Sequence, residues 1–183
     1  GFNALHSLTG TQWNTAVGMD AMYSQTSGGN NTAVGRNAMR YGSTGLGNTG
    51  LGADALIGVY DGTYNTAVGY KAMYNSSGGK NDYNTAMGYK SLYSISTGDK
   101  NVVVGNEAGL SLNTGSYNVL IGNSADPDAS NATNQIVIGH DADGLGNNKA
   151  VIGNSNITDV YMAEDMGATV HADGVKFYED TAN

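Results

Sequence analysis

Apolar residues along this chain return in one short phrase, not in helical stripes or long alternating runs. The phrase is Asn14-Thr-Ala-Val-Gly18, repeated at 31–35, 48–52 (Asn-Thr-Gly-Leu-Gly), 65–69 and 84–88 (Asn-Thr-Ala-Met-Gly). It continues more loosely as Asn101-Val-Val-Val-Gly105, Asn118-Val-Leu-Ile-Gly122, Gln135-Ile-Val-Ile-Gly139 and Lys149-Ala-Val-Ile-Gly153. Counted with Gly1, the closing glycines are spaced 17 residues apart seven times, then once by 19 (Gly69 to Gly88) and once by 14 (Gly139 to Gly153). A second apolar landmark lies three and four residues beyond each glycine: Ala4-Leu5, Ala21-Met22, Ala38-Met39, Ala55-Leu56, Ala72-Met73 and Ser91-Leu92. Turn-rich stretches such as Ser27-Gly28-Gly29 separate the units. Each unit therefore predicts a short strand, a glycine turn, a second short strand and a loop. A five-residue apolar segment is too short for an amphipathic helix, and glycine recurs too often inside it.

Units this short cannot close a core alone, so they must stack, strand over strand, about 4.8 Å apart. The predicted fold is all-β: a β-roll or β-solenoid of about nine 17-residue coils over residues 1–153, followed by a C-terminal β neck over 154–183. The two extra residues of the 19-residue interval are expected in the loop around 78–83, because an insertion inside a strand would flip its faces.

Residues two apart in a strand share a face. The expectation is that Thr15 and Val17, with Val102 and Val104, Val119 and Ile121, and Ile136 and Ile138, line the coil interior. The intervening column then faces outward: Ala16, Ala33, Gly50, Ala67 and Ala86, followed by Val103, Leu120, Val137 and Val151. An outward column this apolar marks an interface. The position four after the glycine declines meanwhile from Met or Leu to Gly109, Asp126 and Asp143. Apolar material is thus expected to move from inside each coil to between chains, with Val160-Tyr161-Met162 and the stretch from Val170 to Phe177 joining that shared core.

Composition narrows the class. Glycine is abundant at 28 residues without a three-residue period and proline occurs once, so collagen is excluded. Cysteine is absent, which removes disulfides and thiolate metal sites. No apolar run is long enough for a spanning helix, and the chain, opening at Gly1 inside a repeat, reads as a piece of a longer polypeptide. The net charge of −8 lies entirely in residues 126–183, where ten acids face Lys149 and Lys176, while residues 1–125 balance six against six. No basic stripe is available for nucleic acid or an anionic membrane surface.

The Asn-Thr-Ala-Val-Gly-x-x-Ala-Met/Leu unit resembles the repeats of phage tail-fibre shafts and is similar to the head repeats of trimeric autotransporter adhesins, although those heads have a shorter period. The stretch from Ile152 to Tyr161, followed by Gly167 to Gly174, resembles the segment preceding the endosialidase-type intramolecular chaperone of tail fibres. The resemblance implies three parallel chains, each a β-roll, around one axis, and a chaperone that drives trimerisation and is cleaved away. The expected function is a structural, non-enzymatic one: a rigid spacer in an extracellular homotrimeric fibre, with a host-surface glycan or protein as further partner. A bacterial adhesin head and a self-assembling extracellular filament remain open, and ice binding through Thr15, Thr32, Thr49, Thr66 and Thr85 is weaker because that column turns into Val102, Val119 and Ile136.

Candidate chemistry is sparse, and no catalytic, cofactor or metal residue is assigned. His6, His140 and His171 lack spaced zinc partners, and no serine sits in a nucleophile elbow. The glycine runs lack the Lys-Ser/Thr of a phosphate loop. Asp126-Pro127-Asp128 and Asp141-Ala142-Asp143-Gly144, near Asn131 and Asn147, offer oxygen ligands for calcium without the full EF-hand spacing, and solvated turn acids are the simpler reading. Tyr23, Tyr74 and Tyr93, with His6 in the same slot, form an aromatic column interrupted by Arg40 and Ile57, suited either to covering the roll or to contacting carbohydrate or protein.

Overall fold

The computed structural model describes residues 1–10, 13–58, 61–74 and 79–160. Nine three-residue strands lie in chain order in one parallel sheet: β1 (Thr15–Val17), β2 (Thr32–Val34), β3 (Thr49–Leu51), β4 (Thr66–Val68), β5 (Thr85–Met87), β6 (Val102–Val104), β7 (Val119–Ile121), β8 (Ile136–Ile138) and β9 (Ala150–Ile152). The chain is an all-β parallel solenoid of about eight turns, and no helix occurs among the described residues. Eight strand spacings give a ladder roughly 38 Å long. The strands expected beyond Val160 lie outside the described residues.

Each strand sits on its equivalent in the next coil, as in Ala16↔Ala33 and Leu120↔Val137. The 19-residue interval leaves this register intact, with Thr66 opposite Thr85. Met73 N–H still reaches the Ser91 carbonyl as Leu56 N–H reaches that of Ala72. Asn65 then donates to the carbonyl of Asn81, sixteen residues on, where Asn48 donates to Gly62, fourteen on. The surplus is thus absorbed between Tyr74 and Asn81, outside the strands.

The second strand of each unit does not form. The backbone after each glycine repeatedly enters the left-handed region, with φ of 55° at Asp20 and 51° at Met22, then 57° and 52° at Asn37 and Met39. Extended pairing is lost there, but Met22 N–H still bonds the Ala38 carbonyl at 2.9 Å and Met39 N–H that of Ala55 at 2.9 Å. A left-handed L-residue costs about 1–2 kcal/mol. Here it turns Met22, Met39, Leu56, Met73 and Leu92 into the interior, where all are fully buried.

The two faces of the strands are the reverse of the sequence expectation. Ala33, Ala67, Ala86, Val103, Leu120 and Val137 are buried at 0% exposure, whereas Val17, Val34, Leu51, Met87, Ile121, Ile138 and Ile152 lie 36–55% exposed. The interior column is therefore the middle residue of each strand, and the Thr-x-Val pair faces out. The apolar material does not move between chains; it moves across the inside of the coil. In the early coils a small Ala on the strand faces a large Met or Leu from the turn. In the later ones Val103 faces Gly109, and Leu120 and Val137 stand in coils whose turn position is Asp126 or Asp143. A Cβ added at Gly109 would lie 3.0 Å from Val103 and 3.2 Å from Leu120. Volume is conserved, as close packing demands.

Two columns hold the coils together. The motif glycines have φ between 130° and 146° from Gly18 to Gly139, and a Cβ at Gly18 or Gly105 would stand 2.4 or 2.0 Å from the carbonyl oxygen of the next motif glycine. Only glycine permits that stacking. The motif asparagines form the second column, inside the coil. The side-chain oxygen of Asn31 accepts the N–H of Asn48 at 2.8 Å, and its amide donates to the Gly45 carbonyl at 2.8 Å. The pattern recurs from Asn14 to Asn118, whose oxygen accepts the N–H of Gln135 at 2.9 Å.

Volume compensation can be measured. Val103→Ala should destabilise by about 1–3 kcal/mol through a cavity and Gly109→Met by about as much through overpacking. The two together should cost less than their sum by at least about 1 kcal/mol in denaturant unfolding. Strict additivity would show that the two positions do not share one space.

Candidate functional site

Three surfaces of the solenoid carry distinctive chemistry. The first is the outward face of the sheet, two columns wide and nine strands long. In β1 to β5 it pairs Thr with Val, Leu or Met; in β6 to β9 it is Val102 and Val104, Val119 and Ile121, Ile136 and Ile138, Ala150 and Ile152. Val102 and Ile136, expected inside, are 39% and 41% exposed. The threonines thus border solvent and not a core, contrary to the expectation that their column lies inside. Val103, Leu120 and Val137, expected at an interface, are interior and unavailable to a partner.

The second surface follows the glycine turn and is aromatic and cationic. His6 stacks on Tyr23 (centroids 4.8 Å apart) and Tyr74 on Tyr93 (5.2 Å). Arg40, the interruption noted in the sequence, lies over Tyr23 at 5.7 Å and joins the aromatic series. A parallel column that sequence reasoning missed places Tyr70 on Tyr89, centroids 5.9 Å apart. Between the columns run Lys71, whose ammonium is 5.3 Å from the Tyr70 ring centre and 4.8 Å from that of Tyr74, and Lys90, at 5.1 and 5.9 Å from Tyr89 and Tyr93. Partial desolvation works against the charge of Lys71, but a hydrogen bond to Tyr70 and the nearby phenols outweigh it and hold its pKa above the ordinary value. Lys90 is raised chiefly by its hydrogen bond to Tyr89. The signal is present in the repeated Tyr-Lys-x-x-Tyr spacing at 70–74 and 89–93, four residues before the Tyr74 and Tyr93 column.

The acidic C-terminal coils form the third surface. They do not gather the carboxylates in the pairs suggested by sequence. Asp126 stands opposite Asp143 in the next coil, Asp128 accepts from the Gln135 amide, and Asp141 pairs with His140 at 3.2 Å. Asn147, a suggested ligand, accepts the Thr133 N–H at 2.8 Å. No group of three His, Cys, Asp or Glu side chains suited to a metal ion occurs among the described residues. A depression of about 360 Å³ beside them is lined by Asp141, Asp143, Leu145 and Val151, among others. Burial pushes the Asp126 carboxyl above its ordinary range and the charge of Asp143 adds to this, against the Ser111 N–H, which lies 3.2 Å from both oxygens.

An acid raised in the folded state favours folding in its protonated form, so this contribution is lost as pH rises through the elevated pKa. Asp126→Asn should therefore raise the melting temperature at pH about 7, with the gain shrinking as pH falls and the wild-type carboxyl takes up its proton. A gain independent of pH would contradict the assignment.

Comparison with known proteins supplies no relative: no family model, curated protein or solved structure matches the chain.

Proposed function

We propose that this chain is a rigid structural segment of an extracellular fibre in which three copies run parallel around a common axis, each presenting its outward strand face to the others. The observation that carries this reading is the continuous apolar face of β6 to β9, with Val102, Ile121, Ile136, Ile138 and Ile152 each more than a third exposed. Apolar patches of that continuity are interaction surfaces in water-soluble proteins. Covering a half-exposed Val or Ile recovers about 1 kcal/mol, and the ladder offers the same side chains coil after coil. Threonines in β1 to β5 make the N-terminal part of the face more polar, so association is tightest toward the C-terminal coils. The tail-fibre resemblance of the repeat supports the same arrangement, in a structural and not an enzymatic role.

A second reading rests on the threonines. With their column outside the coil, Thr15 to Thr85 form a regular array at strand spacing, as an ice-ordering surface requires. The unbroken Val and Ile of β6 to β8 favour protein contact over that role.

The test replaces outward residues, leaving the core alone. Val119→Asp with Ile136→Asp should convert a trimer into monomers by light scattering while the β-type circular dichroism persists. Leu120→Asp with Val137→Asp, by contrast, should unfold the later coils, since each buries an unpaired charge. A monomeric wild type overturns the fibre reading, and thermal hysteresis of such a monomer would establish the second.

A further inference from the structure

We infer that the cluster of Tyr70, Lys71, Tyr74, Tyr89, Lys90 and Tyr93 is a binding site for a carboxylated polysaccharide. The proposal rests on the fibre reading only for its biological setting, because the whole site belongs to one chain and lies off the strand face assigned to the trimer.

The first argument is electrostatic. Arg36 pairs with Asp54 at 3.1 Å, Arg40 with Asp20 at 3.6 Å and Lys90 with Glu107 at 3.5 Å. Lys71 has no ion pair among the described residues. It also occupies the same coil position as Lys90, since Lys71 N–H bonds the Ala53 carbonyl and Lys90 N–H that of Tyr70. Like charges opposite one another on a ladder, about 4.8 Å apart, are unfavourable. The phenol rings on either side more than offset this: hydrogen bonds and cation–π contacts to Tyr70, Tyr74, Tyr89 and Tyr93 keep both ammonium groups charged. Two stabilised positive charges thus stand in adjacent coils with a single carboxylate, Glu107, against Lys90, which leaves Lys71 to pair with a carboxylate from outside the chain.

The second argument is shape. Tyr70 and Tyr89 are 42% and 40% exposed, and the pair is open at both ends of its stack: the equivalent position below Tyr70 is Ala53, too short to cover a ring, and that above Tyr89 is the exposed Asn106. Aromatic rings with hydroxyl tips present an apolar face for the C–H surface of a pyranose and hydrogen-bonding groups for its hydroxyls. The coil repeat brings an ammonium and two rings round again at about 4.8 Å, comparable to the rise of one sugar unit in an extended chain. An acidic peptide would meet the lysines equally well but has no use for the two flanking phenol columns. That contrast favours sugar.

The experiment is affinity electrophoresis of the whole chain through gels containing polygalacturonate, alginate or polysialate, with neutral dextran and polyglutamate as comparisons. The wild type should be retarded by at least one of the three carboxylated polysaccharides and by neither comparison polymer. Lys71→Gln with Lys90→Gln should weaken that retardation about tenfold or more, and Tyr70→Ala with Tyr89→Ala should weaken it as well. Both variants should keep the wild-type molar mass and circular dichroism, which separates this site from the trimer. No retardation by any of the three polysaccharides overturns the proposal, as does undiminished retardation of the lysine variant. Equal retardation by polyglutamate also overturns it and assigns the surface to an acidic protein.

Discussion

Every coil is held on the backbone of its neighbour, and the requirement that equivalent residues sit about one strand spacing apart governs the molecule. A residue in such a stack must tolerate its own kind above and below. Glycine does so at the motif turn because its carbonyl fills the place a side chain would take one coil away. Asparagine does so inside the coil because its oxygen accepts the next asparagine's N–H while its amide crosses to the far wall. Buried amides with both ends engaged are stabilising; with either end free each would cost about 1–3 kcal/mol. The column ends where the period shortens. Gln135 replaces asparagine there, and its longer side chain reaches Asp128 while its own oxygen is left without a partner.

The same constraint explains why the interior tolerates a change of residue without a change of shape. The strand spacing and the positions of the two walls are set by the backbone, so the enclosed volume is nearly constant along the axis. Ala33 with Met39 and Val103 with Gly109 fill that volume from opposite sides. The left-handed turn residues are part of this solution, since they direct Met and Leu inward from a wall that would otherwise present backbone. Their backbone cost is met by burial of large side chains, each contributing about 1.5–3 kcal/mol when fully buried.

Stacking also concentrates surface chemistry. One outward residue in the repeat becomes a column, and two neighbouring residues become a stripe. The strand face gains a continuous apolar band in this way, and the turn face gains paired tyrosine columns with lysines between them. A single Tyr-Lys-x-x-Tyr segment would be an ordinary exposed patch; two in register form a site that neither coil has alone.

The sequence by itself determined the period, the stacked all-β solenoid and that the two-residue surplus falls outside the strands, because a fixed spacing of glycine and asparagine admits one stacking register. It also carried the aromatic columns, in the Tyr-Lys-x-x-Tyr segments at 70–74 and 89–93. It did not determine which side of the strand is inside. Alternation says that Thr15 and Val17 share a face; it does not say which face, and here both faces are small or apolar. Two clues pointed the right way: Asn14 lies on the same side as Ala16, and the strand and turn residues vary inversely in size. Neither is decisive until the turn is known to be left-handed, and that conformation depends on contacts between coils. The tertiary structure settled the matter because in the early coils the turn sends a large Met or Leu side chain inward, which leaves the facing strand interior to alanine or glycine and puts the Thr-x-Val pair outward.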